Sequence, residues 1–364
     1  MSACSSQSVR VGRTADDQPM VIAHRGASAY RPEHTLAAYQ LAIDMGADVV
    51  EPDLVRTRDG ALVARHENEI GGTTDVSAHP KFAARKATKL IDGVPMTGWF
   101  SEDFTLAEIK TLRARERIPA NRPENAKHDD RYEVPTLQEI IALVKISEQK
   151  TGRRIAIYPE TKHPSYFRGI GMPLEEPLVK ALHDAGFHGK GAPVFIQSFE
   201  VANLKMLRTM TDLPLVQLLN NPLNKPAANG VPQNVPYDFI VAGDKRGYAD
   251  MTSAAGLREI ATYADAVGPY KEIIIPRTAD NHMGQATTFV ADAHAAGLGI
   301  HIWTLRPENT FLPVELRQGD AASITARGNL VAEILTYLQA GVDGIFSDDP
   351  AAAREAVNQF RRKK

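Results

Sequence analysis

Short β-branched runs alternate with amphipathic helical stretches over most of this 364-residue chain, and that alternation constrains its fold more than any other feature. Parallel strands need long crossovers, usually helices, so the pattern reads as βα units feeding a parallel sheet. Candidate strands fall at 21–24, 49–54, 155–159, 194–197, 215–218, 273–275, 300–304 and 344–347, which makes eight. A ninth run, 239–242, is assigned to an excursion because the other eight have better-defined helices after them. Eight such units predict an α/β fold, a single (β/α)8 TIM barrel. Apolar residues at three- and four-residue spacing mark the helices, as in Leu36, Tyr39, Leu41 and Ile43, or Leu137, Ile140, Ile141 and Val144. Thr136 and Glu139 form a capping box for the second of these, with Pro135 fixing the approach of the chain.

Two stretches break the repeat. Residues 69–134, after the second strand, are rich in Gly, Thr, Lys and Arg; residues 220–270 carry several Pro and Asn. Structureless loops of that length are uncommon in a compact domain, so both are read as insertions with a function or a small fold of their own. The first is expected to hold a helix over 106–115, started by Thr105 and Glu108. The chain is thereby divided into a flexible N-terminal tail at 1–19, a barrel at 20–355 and a basic C-terminal tail at 356–364.

Hydrophobic residues make up 43% of the chain and charged residues 24%, enough apolar material for a large core. With 42 Lys and Arg against 44 Asp and Glu, nothing global attracts nucleic acid or an anionic membrane. No run approaches the roughly 18 apolar residues of a membrane span. The expected partner is a small molecule; the oligomeric state stays open, a dimer being compatible. The single cysteine, Cys4, excludes an internal disulfide and a cysteine metal site. The first twenty residues lack the apolar core of a signal peptide. The string Met1-Ser2-Ala3-Cys4-Ser5-Ser6 nevertheless resembles the cleavage region of a bacterial lipoprotein, or is a tail with an incidental cysteine. A periplasmic or envelope location is expected if a signal precedes this sequence, a cytoplasmic one otherwise.

Catalytic groups of such barrels stand at the C-terminal ends of the strands. His24-Arg25-Gly26 ends the first strand, and Gly26 permits a sharp turn or close approach of the backbone. Glu51-Pro52-Asp53 ends the second; strand alternation sends residues 51 and 53 to one side. Two carboxylates there repel unless a cation or a proton intervenes, and hard oxygen donors suit Mg²⁺ or Ca²⁺. Arg58-Asp59-Gly60 signals a hairpin that would carry His66 back over the barrel mouth, as a two-histidine acid/base site requires. Glu160 ends the third strand and could supply a third carboxylate, with Lys162 as a charge for phosphate. Gln197-Ser198-Phe199 and His301-Ile302-Trp303-Thr304 occupy later strand ends, Trp303 as a wall for a carbon skeleton or as a core residue. Taken singly, each fragment also has an ordinary structural reading: a surface histidine, solvated acids, an ion pair.

In order along the chain, however, His24-Arg25-Gly26-Ala27-Ser28, Pro32-Glu33-His34-Thr35, Glu51-Pro52-Asp53-Leu54, Thr57-Arg58-Asp59-Gly60, His66, Glu160-Thr161-Lys162 and the string from Gly341 to Asp348 resemble the glycerophosphodiester phosphodiesterase family. The likeness spans about residues 20–355 and is greatest to the larger bacterial form with an insertion after the second strand. The resemblance implies hydrolysis of glycerophosphodiesters to sn-glycerol 3-phosphate and an alcohol such as choline or ethanolamine. It implies His24 and His66 as general acid and base, and Glu51, Asp53 and Glu160 as ligands of one divalent cation, Ca²⁺ first or Mg²⁺. Arg25 and Lys162 would contact phosphate. It implies attack by the glycerol 2-hydroxyl and a cyclic phosphate opened by water. Two residues depart from the common pattern: Glu67 stands where many members have Asp, and His34 where many have Asn, the latter shared with the larger bacterial form. Two alternatives stay open, a phospholipase D or sphingomyelinase D-like enzyme acting on lipid, and a catalytically silent barrel that binds glycerophosphodiesters.

Overall fold

The computed structural model describes residues 14, 17–320 and 322–362, so most of the expected N-terminal tail, with Cys4, lies outside the described residues. Eight parallel rungs close on one another. The first, Met20–His24, pairs with the eighth, Gly344–Ser347, on one side and with the second on the other. The second rung is Val49–Glu51 and Asp53–Arg56, interrupted only at Pro52; the third is Ala156–Ile157 and Glu160–Thr161, interrupted at Tyr158 and Pro159. Backbone bonds run through both interruptions: Tyr158 N–H donates to Val50 O and Glu160 N–H to Pro52 O, each at 2.9 Å. Prolines lack an N–H but their carbonyls still accept, so the ladder survives. Ile196–Ser198, Leu215–Leu219, Ala266–Pro269 and Gly299–Leu305 complete the circle.

The period of two divides each strand cleanly. Met20, Ile22, Val49, Ala156, Tyr158, Phe195, Val216, Ala266 and Phe346 fill the barrel. Their neighbours Val21, Ala23, Val50, Ile157, Ile196 and Ile300 face outward into the larger cluster under the helices. The inward series continues upward to His24, Glu51 and Asp53, Glu160 and Lys162, Gln197, Trp303 and Asp348, so alternation alone brings the polar groups to one mouth.

The sixth strand differs from expectation. The run 273–275 falls on the helix Lys271–Ile274 and its C-terminal flank, and the strand is Ala266–Pro269. Ile274 and Ile275 are buried as helix-packing residues, and a short apolar run does not distinguish that from a strand. Residues 239–242 lie in the helix Tyr237–Ala242, within the excursion. The helix expected over 106–115 has its capping box but ends at Ile109, after which Ala114 bridges Thr74. Instead of a separate tail, residues 356–362 continue the last helix, Pro350–Arg362. No described helix is long and apolar enough to cross a membrane.

The 69–134 insertion carries the hairpin Ala87–Ile91 and Val94–Gly98 and several short helical turns. Its Phe82, Phe104, Ile109 and Leu112 join the main hydrophobic cluster, so it is an outgrowth of the barrel core and not a second domain.

Candidate active site

Chain turning after the first strand sets the site's geometry. Arg25 and Gly26 both take positive φ, 59° and 90°, and a Cβ on Gly26 would stand 2.7 Å from the Ala38 backbone. This turn aims the Arg25 N–H at Glu51 Oε2, 2.8 Å away. Thr57, Asp59 and Gly60 close the expected hairpin, Leu62–Ala64 pairs antiparallel with the second rung, and His66 returns to the mouth. Buried Arg65 stitches the hairpin down, donating to the carbonyls of Ala64, Thr73, Glu33 and His34.

His24, Arg25, Glu51, Asp53, His66, Glu160, Lys162, Gln197, Phe199, Trp303 and Arg306 line one cavity of about 90 Å³. It adjoins a groove of about 400 Å³ that shares His66, Glu160, Lys162, Phe199 and Trp303 with it and extends under the excursion to Val231 and Tyr237. The residues that the sequence offers as proton donors, metal ligands, phosphate contacts and hydrophobic wall therefore meet at one place. Trp303 donates its indole N–H to Gly268 O at 2.7 Å and meets the Phe199 ring edge-on.

Glu51, Asp53 and Glu160 present carboxylate oxygens within 4.8 Å of one another, all three buried. Burial and the adjacent Asp53 and Glu160 push the Glu51 carboxyl well above its usual range. Burial and Asp53 lift Glu160 to about 8 despite its 2.8 Å bond from Lys162 Nζ. Burial would raise Asp53 too, but the Lys162 ammonium and the hydrogen bond from His34 hold it well below the usual range. Lys162 and Arg25, the latter 3.3 Å from Asp53 Oδ2, offset part of the charge of the three buried acids, and a hard divalent cation would relieve the remainder. Gln197 supports the cluster by donating to Glu51 Oε1 at 3.0 Å, and its own buried Oε1 has no hydrogen-bond partner among the described residues. The residues present fit such an ion.

The two imidazoles are arranged alike. His24 Nδ1 donates to Asp348 Oδ1 at 2.6 Å, while Arg25 Nε donates to His24 Nε2 at 3.2 Å. His66 Nδ1 donates to Glu67, while Lys162 Nζ donates to His66 Nε2 at 3.2 Å. Burial and the neighbouring cations lower the pKa of His24 to about 4 and that of His66 to about 3. Both rings are thus neutral, with the Nε2 lone pair toward the cavity.

Sequence reasoning passed over the groups behind this pair. His34 bonds Asp53 Oδ2 at 2.9 Å and the Tyr39 hydroxyl at 2.7 Å, fixing one carboxylate of the acid trio. Glu33 accepts from Arg25, and Glu67, in the sequence only a departure from the common pattern, holds His66. Asp348 closes the Gly341–Asp348 string, a signal that was present but carried no role on its own. Arg117, Arg122, Arg306 and Glu308 had no local signal at all.

Comparison with known proteins identifies the family. Residues 24–352 match the model of the glycerophosphoryl diester phosphodiesterase family. A glycerophosphodiester phosphodiesterase of Arabidopsis thaliana is 32% identical, over 91% of this chain and 84% of its own. One from Bacillus subtilis is 34% identical, over 71% and 70%. Among solved structures, a glycerophosphoryl diester phosphodiesterase from Silicibacter pomeroyi superposes with a TM-score of 0.63 at 20% identity, covering 96% of each chain. An Oleispira antarctica phosphodiesterase in complex with sn-glycerol-3-phosphate gives 0.56 at 18% identity, covering 94% of this chain and 98% of that one. Family match, relatives and closed barrel agree: the chain belongs to the glycerophosphoryl diester phosphodiesterase family and is a phosphoric diester hydrolase of that kind.

Proposed function

We propose that the chain hydrolyses glycerophosphodiesters to sn-glycerol 3-phosphate and an alcohol by paired-histidine proton transfer beside a cation held by Glu51, Asp53 and Glu160. The observation that carries this reading is the convergence of two carboxylate-oriented imidazoles and the buried acid trio on one cavity. A divalent cation there, Ca²⁺ as first choice or Mg²⁺, would neutralise charge on the diester oxygens.

Arg25 and Lys162 bind the phosphate by charge-assisted bonds. Each now occupies the Nε2 of one histidine, so a phosphate that draws them onto its oxygens frees both imidazoles. The substrate's negative charge also offsets the cations that keep the rings neutral, which favours proton uptake by one of them. One imidazole then takes the proton of the glycerol 2-hydroxyl as that oxygen attacks phosphorus. The other, protonated, gives its proton to the departing alkoxide. The cyclic phosphate so formed is opened by water with the two roles exchanged. Each transfer contributes roughly 10²–10⁴-fold. Phe199 and Trp303 wall the carbon skeleton, and the adjoining groove accepts the alcohol.

The test is turnover of several glycerophosphodiesters, glycerophosphocholine among them, read as released glycerol 3-phosphate, after chelation and on return of Ca²⁺ or Mg²⁺. Activity lost on chelation and restored by metal is the expected result. Full turnover in chelator, or cleavage of intact lipid alone, would contradict the reading.

A further inference from the structure

We propose that the insertion after the second strand positions both histidines, through a single turn that carries Arg117 and Arg122. This rests on the reading of His24 and His66 as the proton-transfer pair.

A carboxylate that accepts an imidazole Nδ1–H fixes the tautomer and aims Nε2, provided that the carboxylate is itself held. On the His24 side, Arg122 Nη2 donates to Asp348 Oδ2 at 2.5 Å, and Arg122 Nε donates to Glu308 Oε1 at 2.7 Å. On the His66 side, Arg117 donates to Glu67 Oε1 and Oε2 at 3.0 and 2.7 Å. The same guanidinium donates to Glu33 at 2.9 and 2.6 Å, and Glu33 accepts from Arg25 at 3.1 Å. Each histidine thus ends a chain of three groups whose far member comes from one short segment.

That segment is rigid by construction. The N–H groups of Asn121 and Arg122 both donate to Ile118 O, the Ile118 N–H donates to Glu116 Oε1, and Pro123 opens the helix Pro123–Ala126. It is clamped to the loop after the first strand, since Arg122 Nη1 and Asn125 Nδ2 both donate to Ser28 O at 2.8 and 2.9 Å. The two arms differ in dryness. Side chains of Arg122, Glu308 and Asp348 are 6%, 1% and 3% exposed, whereas Arg117 and Glu67 are 29% and 24% exposed. Water can stand in for a lost partner in the second arm more readily than in the first, so the Arg122 arm matters more to turnover.

The experiment compares Arg117→Met, Arg117→Lys, Arg122→Met and Arg122→Lys with Arg115→Gln, whose guanidinium pairs with exposed Asp130. Arg122→Met removes the guanidinium from buried Glu308 and leaves Asp348 with His24 and with Arg306, 3.3 Å away, so Arg122→Lys, which keeps the charge, carries that arm if the methionine variant does not fold. Outer-sphere partners of this kind are worth about 10–100-fold in activity. The expected loss is of that size in kcat with KM nearly unchanged, larger for Arg122, and partly recovered in the lysine variants. Turnover of an alkyl diester and of a p-nitrophenyl diester of glycerophosphate separates positioning from mere folding. The arm serving the acid should lose more on the alkyl leaving group, because nitrophenolate departs without a proton. Wild-type kcat in folded Arg117 and Arg122 variants overturns the inference, as does a loss that lies wholly in KM or is equal for both leaving groups in both arms. His24→Ala and His66→Ala run alongside: full turnover there removes the reading of the histidines as well, whereas loss there with intact arginine variants removes this inference alone.

Discussion

The two excursions from the barrel repeat are built differently. Residues 69–134 drive Phe82 and Phe104 into the main core, where the two rings meet edge-on at 4.9 Å, and send Arg117 and Arg122 to the carboxylates behind the histidines. The segment from 220 to 235 is polar and largely exposed, with Leu223 86% open to solvent, and reaches the cavity only through groove residues such as Val231 and Gln233. The first insertion is welded to the barrel core and to the groups behind the histidines, whereas the 220–235 stretch frames the space in front of them. The remainder of the second excursion, with Phe239, Tyr248, Met251 and Leu257, also joins the main core. Inserted chain contributes rigidity to a site when it buries apolar area in the host core, and otherwise stays a replaceable rim.

The largest effect that sharpens this contrast lies on the welded side. His24→Ala or His66→Ala should each lower kcat by about 10²–10⁴-fold with the fold intact, measured by steady-state turnover and circular dichroism. Near-normal rates in both would dissolve the link between insertion and chemistry. Next in size, Phe104→Ala removes a fully buried ring of the insertion and should cost about 3–5 kcal/mol in denaturant unfolding. A loss below about 1 kcal/mol would mean that the insertion is no part of the barrel core.

Much of this was readable in the sequence, and the division follows the range of the interactions. Barrel strands rich in Val and Ile announce themselves locally; Ala266-Val267-Gly268-Pro269 does not, because it carries one β-branched residue beside two turn formers. Gly268 is where Leu218 presses in, 2.5 Å from where a Cβ would stand, so packing and not propensity chose the residue. The acids and histidines were visible because alternation along a strand and one hairpin turn suffice to bring them together. Asp348 and Arg122 stand 226 residues apart, and Arg117 and Glu67 stand 50 apart, so their roles exist only once the barrel has closed.

A third effect concerns pH. Glu160 is raised to about 8, so below that pH it carries a proton that an incoming cation must displace. Affinity for Ca²⁺ should therefore rise with pH, up to about tenfold per unit for each proton displaced from Glu160 and from the raised Glu51. Calorimetric titrations of chelator-treated protein between about pH 6 and pH 8 check this; a pH-independent constant with no proton release would argue against the acid trio as the site. The smallest effect belongs to the rim: Leu223→Ser should change stability by less than about 0.5 kcal/mol and leave kcat unaltered. A marked loss of turnover would show that the 220–235 stretch is tied to the site no less firmly than the first insertion.

The central claim is that Glu51, Asp53 and Glu160 share one cation below the two imidazoles. Diffraction from crystals soaked in Ca²⁺ tests it most directly. The account requires a peak bonded to all three carboxylates at about 2.3–2.6 Å. A cation found elsewhere, with these side chains turned from one another, would contradict it.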